Sequence, residues 1–348
     1  MNLKELSKQL GLSQTTVSRA INGYPEVSLA TRNRVQDAAR KFGYSPNVRA
    51  KGLATGRSLA IGHVVSVSQT HEMMNPVFGD FIAGAGDVYA RHGYEMILSV
   101  VYDNTEEEVY RNHKRRGTVD GVIVHGPLIQ EPRIDLLNEL GLPYAVHGRS
   151  SGHSGPYTWL DVNNRSSFRR ATSFLLDLGH QRLGLINGLE AMDFAARRRD
   201  GFEDAHKDHA LALDPALLYS GEMTEGYGYR AASEMLSMDT PPTGFLISSM
   251  ISAIGARRAI EERGLKMGRD VSIVTHDDAL SYLENGSSVP IFTAVRSSVR
   301  DAGRQLAEML IAKVSGTETQ IKTALLEAQL VVGNSTGPMR PPLRKTHT

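Results

Sequence analysis

The 348-residue sequence contains no cysteine. That excludes disulfide bridges, a zinc finger and a thiol nucleophile, and it suits a reducing cytoplasm. Long apolar runs are missing too: nothing approaches the roughly 18 residues that a membrane-spanning helix needs, so no membrane partner is expected. The opening Met1-Asn-Leu-Lys-Glu-Leu6 starts an amphipathic helix pattern directly, without the apolar core of roughly 7–15 residues that marks a secretory signal. Tryptophan occurs once, at Trp159. Enzyme signatures are equally sparse. No nucleophile elbow, Walker loop or dinucleotide fingerprint is assigned, and Gly84-Ala85-Gly86 lacks a third glycine and falls inside a helix pattern. His71, His113, His125, His147 and His180 are scattered without metal-ligand spacing. No cofactor, metal or catalytic activity is expected.

What the chain has is an uneven distribution of charge. Over the whole sequence it nearly cancels, at +1. Residues 1–58, however, hold ten Lys or Arg against three acids, a net +7, and the remainder holds 29 basic against 35 acidic residues, a net −6. A basic head on an acidic body is the pattern of a polyanion-binding module joined to something that does not bind polyanions.

Residues 1–46 read as three short helices. Leu3, Leu6 and Leu10 form the apolar stripe of the first, ended by Gly11 in a left-handed cap. Ser13 caps a second helix from about Gln14 to Ile21 that buries Val17 and Ile21. Asn22-Gly23 and Pro25 break the chain, and Ser28 caps a third helix with Val35, Ala38, Ala39 and Phe42 inside. Two short helices joined by a turn of about three residues make helix-turn-helix geometry. The second helix presents Gln14, Thr15, Thr16, Ser18 and Arg19 and no acid. Gln reads an adenine edge, Arg a guanine edge, and Ser or Thr a base or a phosphate.

Residues 47–58 form a hinge that can make one or two helical turns, capped by Asn47 and stopped by Gly56. Val48 and Leu53 are too few apolar groups to hold it folded alone, and Gly52 costs a helix interior about 1 kcal/mol relative to Ala. From residue 59 to 334 short apolar runs alternate with amphipathic stretches. Strands are expected at 59–67, 94–100, 121–125 and 144–147, then at 182–186, 243–248 and 271–276. Helices are expected near 77–92, 105–117, 131–140, 164–178, 194–209, 227–237 and 250–263. Such alternation predicts parallel sheets covered by helices, here as two lobes with a cleft between them. Residues 335–348 read as a flexible tail, rich in Pro and Arg and without leucine heptads. Overall, an all-α helix-turn-helix head precedes a two-lobed α/β body.

The head resembles that of the lactose/galactose repressor family. The resemblance is carried by Gly11-Leu-Ser-Gln-Thr-Thr-Val-Ser-Arg-Ala-Ile-Asn22-Gly23, Val27-Ser28, Thr31-Arg32, Val35 and Phe42-Gly-Tyr44-Ser-Pro46-Asn47. It implies base reading by Gln14 and Thr15, a base or phosphate contact by Arg19, and positioning contacts by Ser13, Thr16, Ser18 and Asn22. The family's hinge helix enters the minor groove as a symmetric pair with a leucine wedged between base steps. Leu53 matches that leucine, Ala50 the small residue one turn earlier, and Arg49 and Lys51 are free for phosphates. The body is similar more weakly, through 178–186, 198–202, 271–278 and 293–296, which implies the fold of periplasmic sugar-binding proteins.

Adjacent hydroxyls of a polyol suit forked Arg and carboxylate partners, and such a cleft lies at strand ends. By resemblance Arg198 and Asp277 are the most dependable effector contacts. Ser249, Arg296 and Arg149 are further polar candidates, with Asn75 and Phe78 in the first strand-to-helix connection. Polyol binding accounts for Asp277-Asp278 without general acid–base chemistry. One departure concerns Met223, where relatives often place an aromatic that stacks on a sugar face. Stacking then comes from Phe78 or Trp159, or the ligand is not a flat-faced sugar. The expected protein is a homodimeric repressor that binds palindromic operator DNA under control of a small-molecule effector, a carbohydrate such as a glucoside. The alternative is a cytoplasmic sugar-binding protein without a DNA function.

Overall fold

The computed structural model describes residues 1–21, 23–44, 57–66, 76–101 and 105–340. They fall into two compact units, one reaching Leu59 and including Gly117–Val119, the other made of the rest.

The first unit contains α1 (Leu3–Leu10), α2 (Gln14–Ile21) and α3 (Leu29–Lys41). Asn2 and Glu5 open α1 with reciprocal bonds: the Glu5 N–H donates to Asn2 Oδ1 at 2.9 Å and the Asn2 N–H to Glu5 Oε2 at 3.0 Å. Two orphan donors are thereby satisfied. Gly11, at φ 62°, turns the chain into the left-handed region and ends α1. Ser13 Oγ accepts the Thr16 N–H at 3.0 Å and starts α2. Leu6, Leu10, Val17, Ala20, Val27 and Val35 form the core. Ile21 is only half-buried, because Ala20, three residues after Val17, takes the deeper place. On α3 only Val35 is buried, while Ala38, Ala39 and Phe42 lie at its margin. Two head arginines brace backbone: Arg34 Nη2 donates to Leu10 O at 2.9 Å and Arg32 Nε to Val27 O at 3.0 Å.

The second unit has two six-stranded sheets. Its first half holds β1 (Ala60–Ser66), α4 (Pro76–His92), β2 (Glu95–Val101), α5 (Glu106–Arg116), β3 (Gly121–His125), α6 (Pro132–Leu140), β4 (Tyr144–His147) and β5 (Trp159–Val162). Then follow α7 (Asn164–Asp177), β6 (Leu183–Asn187), α8 (Asp193–Asp208), β7 (Leu218–Ser220), α9 (Glu225–Leu236), β8 (Gly244–Ile247), α10 (Met250–Glu262), β9 (Ser272–Asp277) and β10 (Thr293–Arg296). The last elements are α11 (Val299–Ser315), β11 (Thr323–Leu326) and β12 (Gln329–Val331). Strand order is β11-β5-β4-β3-β1-β2 in one lobe and β12-β10-β9-β8-β6-β7 in the other. Among the described residues all the strand pairings are parallel except β10 with β12. Parallel pairing demands cover on both faces, which explains the fully buried runs Gly121–Val124 and Ser272–Asp277.

The alternation expected from the sequence is present, and five short strands and one helix are added to it. β5, β7, β10, β11 and β12 have only three or four residues each, too few for a period-2 pattern to stand out. The chain therefore crosses between lobes three times, after β5, after β10 and after β11. α11 returns to the first lobe and packs on α4 so closely that a Cβ on Gly84 would sit 2.0 Å from Arg300 O, and one on Gly303 2.2 Å from Phe81 O. The tail also begins later than expected. Ser335 is fully buried, its Oγ accepting the Thr293 N–H at 2.8 Å, and the Met339 N–H donates to Leu178 O at 2.9 Å.

Candidate functional site

Two surfaces carry chemistry. On α2 the buried side is Val17 and Ala20. The opposite side exposes Gln14, Thr15 and Arg19, with Thr16 and Ser18 half-buried beside them. The Ser13 and Thr16 hydroxyls lie 2.8 Å apart at the N-cap. No acid stands in the first turn. Phosphates would repel one, so the face is chemically suited to nucleic acid. Asn22, Asn47, Arg49, Ala50 and Leu53, and Asn75 of the effector set, lie outside the described residues.

The second surface is the interlobe cleft, at the carboxyl ends of the parallel strands. Arg198, on α8, is buried between the rings of Phe168 and Phe194, each 4.9 Å from its guanidinium carbon. Its Nε donates to Asn164 Oδ1 at 2.8 Å and its Nη1 to Ser248 O at 2.6 Å. Burial pulls the guanidinium down to about 10, against the pull of Asp278 and Asp161, so it stays charged near neutrality. Asp277, at the end of β9, is buried. Its Oδ1 accepts the Ala279 N–H at 2.8 Å and its Oδ2 lies 3.6 Å from Arg296 Nε. Arg296 itself is exposed. Ser249 caps α10 and Ser248 Oγ donates to Asn187 Oδ1 at 2.7 Å.

From the first lobe, Arg149 Nε donates to Asp161 Oδ2 at 2.8 Å, and its guanidinium lies 5.0 Å over the Trp159 ring. Phe78 meets His125 edge-on, at 5.1 Å between centroids. The sequence-predicted residues thus divide. Ser249 and Asp277 stand at element ends of the second lobe and Arg198 in the second turn of α8, with Arg296 paired to Asp277. Arg149 and Phe78 belong to the first. Trp159 already lies under Arg149, which argues against it as a sugar platform.

Several cleft residues take on roles that their sequence positions do not show. Asp278 lies 3.2 Å from His276 Nε2. Burial would raise its carboxyl, but His276, Arg198 and His147 together hold it below the ordinary range. His63, His125 and His147 converge from β1, β3 and β4: His63 Nδ1 is 3.0 Å from His125 Nε2, its Nε2 3.0 Å from the Tyr89 hydroxyl, and Phe81 packs against His147 at 4.4 Å. Burial lowers His63 to about 3 and His147 to about 4, and it pushes His125 well down. All three are neutral at pH 7. Among the described residues no group of His, Asp or Glu is arranged to hold a metal. His125 and His147 are register partners at the ends of β3 and β4, whereas His63 lies mid-strand in β1 opposite Ile123, so spacing along the chain hides the trio.

Two strings have enzyme-like spacing that the sequence reading passes over. Gly148-Arg149-Ser150-Ser151-Gly152 has the nucleophile-elbow pattern, yet β4 runs into a loop there rather than a helix. Ser150 is buried, its Oγ donating to Ile129 O at 2.7 Å. Gly226-Tyr-Gly228-Tyr-Arg-Ala231 has dinucleotide-type spacing but lies within α9.

The lobes touch at both rims. On one, the Asp193 N–H donates to Pro127 O at 3.0 Å, the Ile129 N–H to Ala191 O at 3.0 Å, and Asp193 Oδ1 accepts the Ser151 N–H at 2.8 Å and its hydroxyl. Arg197 pairs with the buried Asp193 carboxylate. On the other, Asp80 Oδ2 accepts the Ser281 N–H at 2.8 Å.

Known proteins resemble both the head and the body of this chain. A family model described as bacterial regulatory proteins, lacI family, matches residues 2–47, and one described as a periplasmic binding protein-like domain matches residues 172–336. The HTH-type transcriptional regulator AglR of Rhizobium meliloti (strain 1021) is 42% identical over 339 residues, covering 97% of this chain and 95% of that protein. RafR of Escherichia coli, also an HTH-type transcriptional regulator, is 32% identical over 92% of this chain and 94% of its own length. Among solved structures, the transcriptional regulator CelR–cellobiose complex superposes with a TM-score of 0.72 at 27% identity, covering 96% of this chain and 99% of that one. The lac repressor dimer bound to operator and the anti-inducer ONPF gives 0.81 at 25% identity, covering 97% and 99%.

Proposed function

The chain belongs to the lacI family of bacterial regulatory proteins and is a helix-turn-helix transcription regulator; from that premise we propose that it is a homodimeric repressor of the cytoplasm whose α2 reads palindromic operator DNA and whose cleft binds a small neutral polyol, a sugar of the glucoside kind. The observation that carries this reading is the acid-free exposed face of α2. Gln14, Thr15 and Arg19 supply base-edge contacts; Ser13, Thr16, Ser18 and Asn22 supply positioning contacts. Residues 47–58 add the minor-groove wedge, with Leu53 between base steps and Asn47, Arg49 and Ala50 along the groove.

In the cleft, Arg198, Asp277 and Ser249 form the polar recognition set, with Arg296, Arg149, Phe78 and Asn75 around it. Ligand shifts the relative weight of DNA-competent and incompetent states by a coupling of about 1–3 kcal/mol. The structure of the CelR–cellobiose complex and the operator-bound lac repressor dimer support this assignment by likeness. No helix of the described residues is long and apolar enough to cross a membrane. The chain is not an enzyme on this reading: Asp277 and Asp278 serve recognition and electrostatics.

Footprinting of genomic fragments tests the operator, followed by a thermal-shift screen with glucosides, other sugars and purines. A protected palindrome released or tightened by one sugar is expected. Absence of any protected fragment at moderate ionic strength, with or without those ligands, would overturn the reading.

A further inference from the structure

Asn164 is buried where the chain first passes between lobes, as the first residue of α7 directly after β5. It is not needed to cap that helix, because Asn163 Oδ1 already accepts the Ser166 N–H. Both ends of the Asn164 amide face charge instead. Oδ1 accepts the Arg198 Nε–H at 2.8 Å, while Nδ2 donates to Asp161 Oδ1 at 3.2 Å and to Val162 O at 3.0 Å. The amide's orientation follows from chemistry: a guanidinium cannot accept and a carboxylate cannot donate. The other Asp161 oxygen takes Arg149 Nε, and Arg149 covers Trp159. On the far side Arg198 continues to Ser248 O, and Ser248 Oγ to Asn187. A continuous polar run therefore joins first-lobe Arg149 to second-lobe Asn187 with Asn164 at its middle.

We infer that Asn164 is a positioning residue for effector recognition, aiming the Arg198 guanidinium and tying it to the Asp161–Arg149 pair of the other lobe. The inference rests on the reading of Arg198 as an effector contact. Phe168 and Phe194 cover the guanidinium, and its in-plane orientation is set by two bonds, Nη1 to Ser248 O and Nε to Asn164 Oδ1, of which only the second ties it to the Asp161–Arg149 pair. Ala removes both ends of the link. Asp keeps the acceptor for Arg198 but sets a second carboxylate beside Asp161. The charged groups facing that spot are Asp161, Arg149 and Arg198, with Arg197, Asp193 and Asp278 further out. Two carboxylates in one site hold a proton to higher pH than one does.

The full-length protein without ligand gives the first test. The Arg198 Nε–H signal, assigned by its loss in Arg198→Lys, should exchange with solvent at least tenfold faster in Asn164→Ala and stay protected in Asn164→Asp. Trp159, the sole tryptophan, reports the other end: its emission in Asn164→Asp should titrate at least one pH unit higher than in wild type. Unchanged exchange in Asn164→Ala, or an unshifted titration in Asn164→Asp, overturns the inference. With cellobiose as probe, calorimetry should give at least tenfold weaker binding in Asn164→Ala with operator affinity within twofold; equal cellobiose binding likewise overturns it. If wild type itself takes up no cellobiose, that counts against the effector reading for this sugar, while exchange and emission still decide the role of Asn164.

Discussion

Both oxygens of the Asp277 carboxylate already have partners, the Ala279 N–H and Arg296. The first bond holds Ala279 at φ 54°, a left-handed conformation unusual for a residue with a Cβ. Asp277→Ala would remove the turn together with the proposed effector contact, so Asp277→Asn separates them. It should keep the turn, and hence operator affinity, while weakening the effector response at least tenfold in an operator-release titration. At the DNA face, Gln14→Ala should cost about 1–3 kcal/mol on the cognate operator and little on unrelated DNA, as read by fluorescence anisotropy. Equal losses on both DNAs would mean that Gln14 contacts only the backbone. Arg198 and Asp277 stood out in the sequence chiefly through the family resemblance, and the structure places Asp277 at the end of β9 and Arg198 in the second turn of α8. The roles of Asp278, Asn164, His63, His125 and His147 were not legible there, because they come from neighbours on other elements.

Close helix packing decides the next scale. α4 and α11 approach through Gly84 and Gly303, with no room for a methyl group on either side. Gly84→Ala should therefore strain the first lobe by about 1–3 kcal/mol, seen as a lower melting temperature with an unchanged head. The periodic helices and longer strands could be located from the sequence, several to within a residue; β3 and β4 coincide with expectation at both ends. The missed elements are those whose identity is tertiary. β11, for example, is a four-residue segment that becomes a strand by pairing with β5, more than 150 residues away in the chain. In the hinge, Leu53→Ala should weaken operator binding far more than nonspecific binding if the leucine acts as a wedge; a gel-shift comparison with competitor DNA measures the difference.

For the whole molecule, the histidine trio predicts how stability responds to acid. The unfolded histidines titrate near 6.5, whereas folded His63 and His147 are held to about 3 and about 4, with His125 also depressed. Their contribution is therefore fully present above pH 6.5 and is lost as pH falls through the window toward 4 and 3. Each group that protonates only on unfolding adds a slope of about 1.4 kcal/mol per pH unit. Urea denaturation from pH 7 to 5 should show the decline, and His63→Gln should flatten it. The rim contacts make a separate prediction. Asp193→Ala removes the bonds to Ser151 and should favour open lobes, increasing the radius of gyration in X-ray scattering and weakening the effector.

The three passages between lobes also dictate an order of assembly during synthesis. Neither lobe is a continuous stretch of chain: the first sheet receives β11 only when Thr323–Leu326 has been made, and the second receives β12 a few residues later. The three-helix head has all of its parts within the opening residues and can fold while the ribosome is still translating the body. A newly made chain thus carries a finished helix-turn-helix head well before it has a finished sensor.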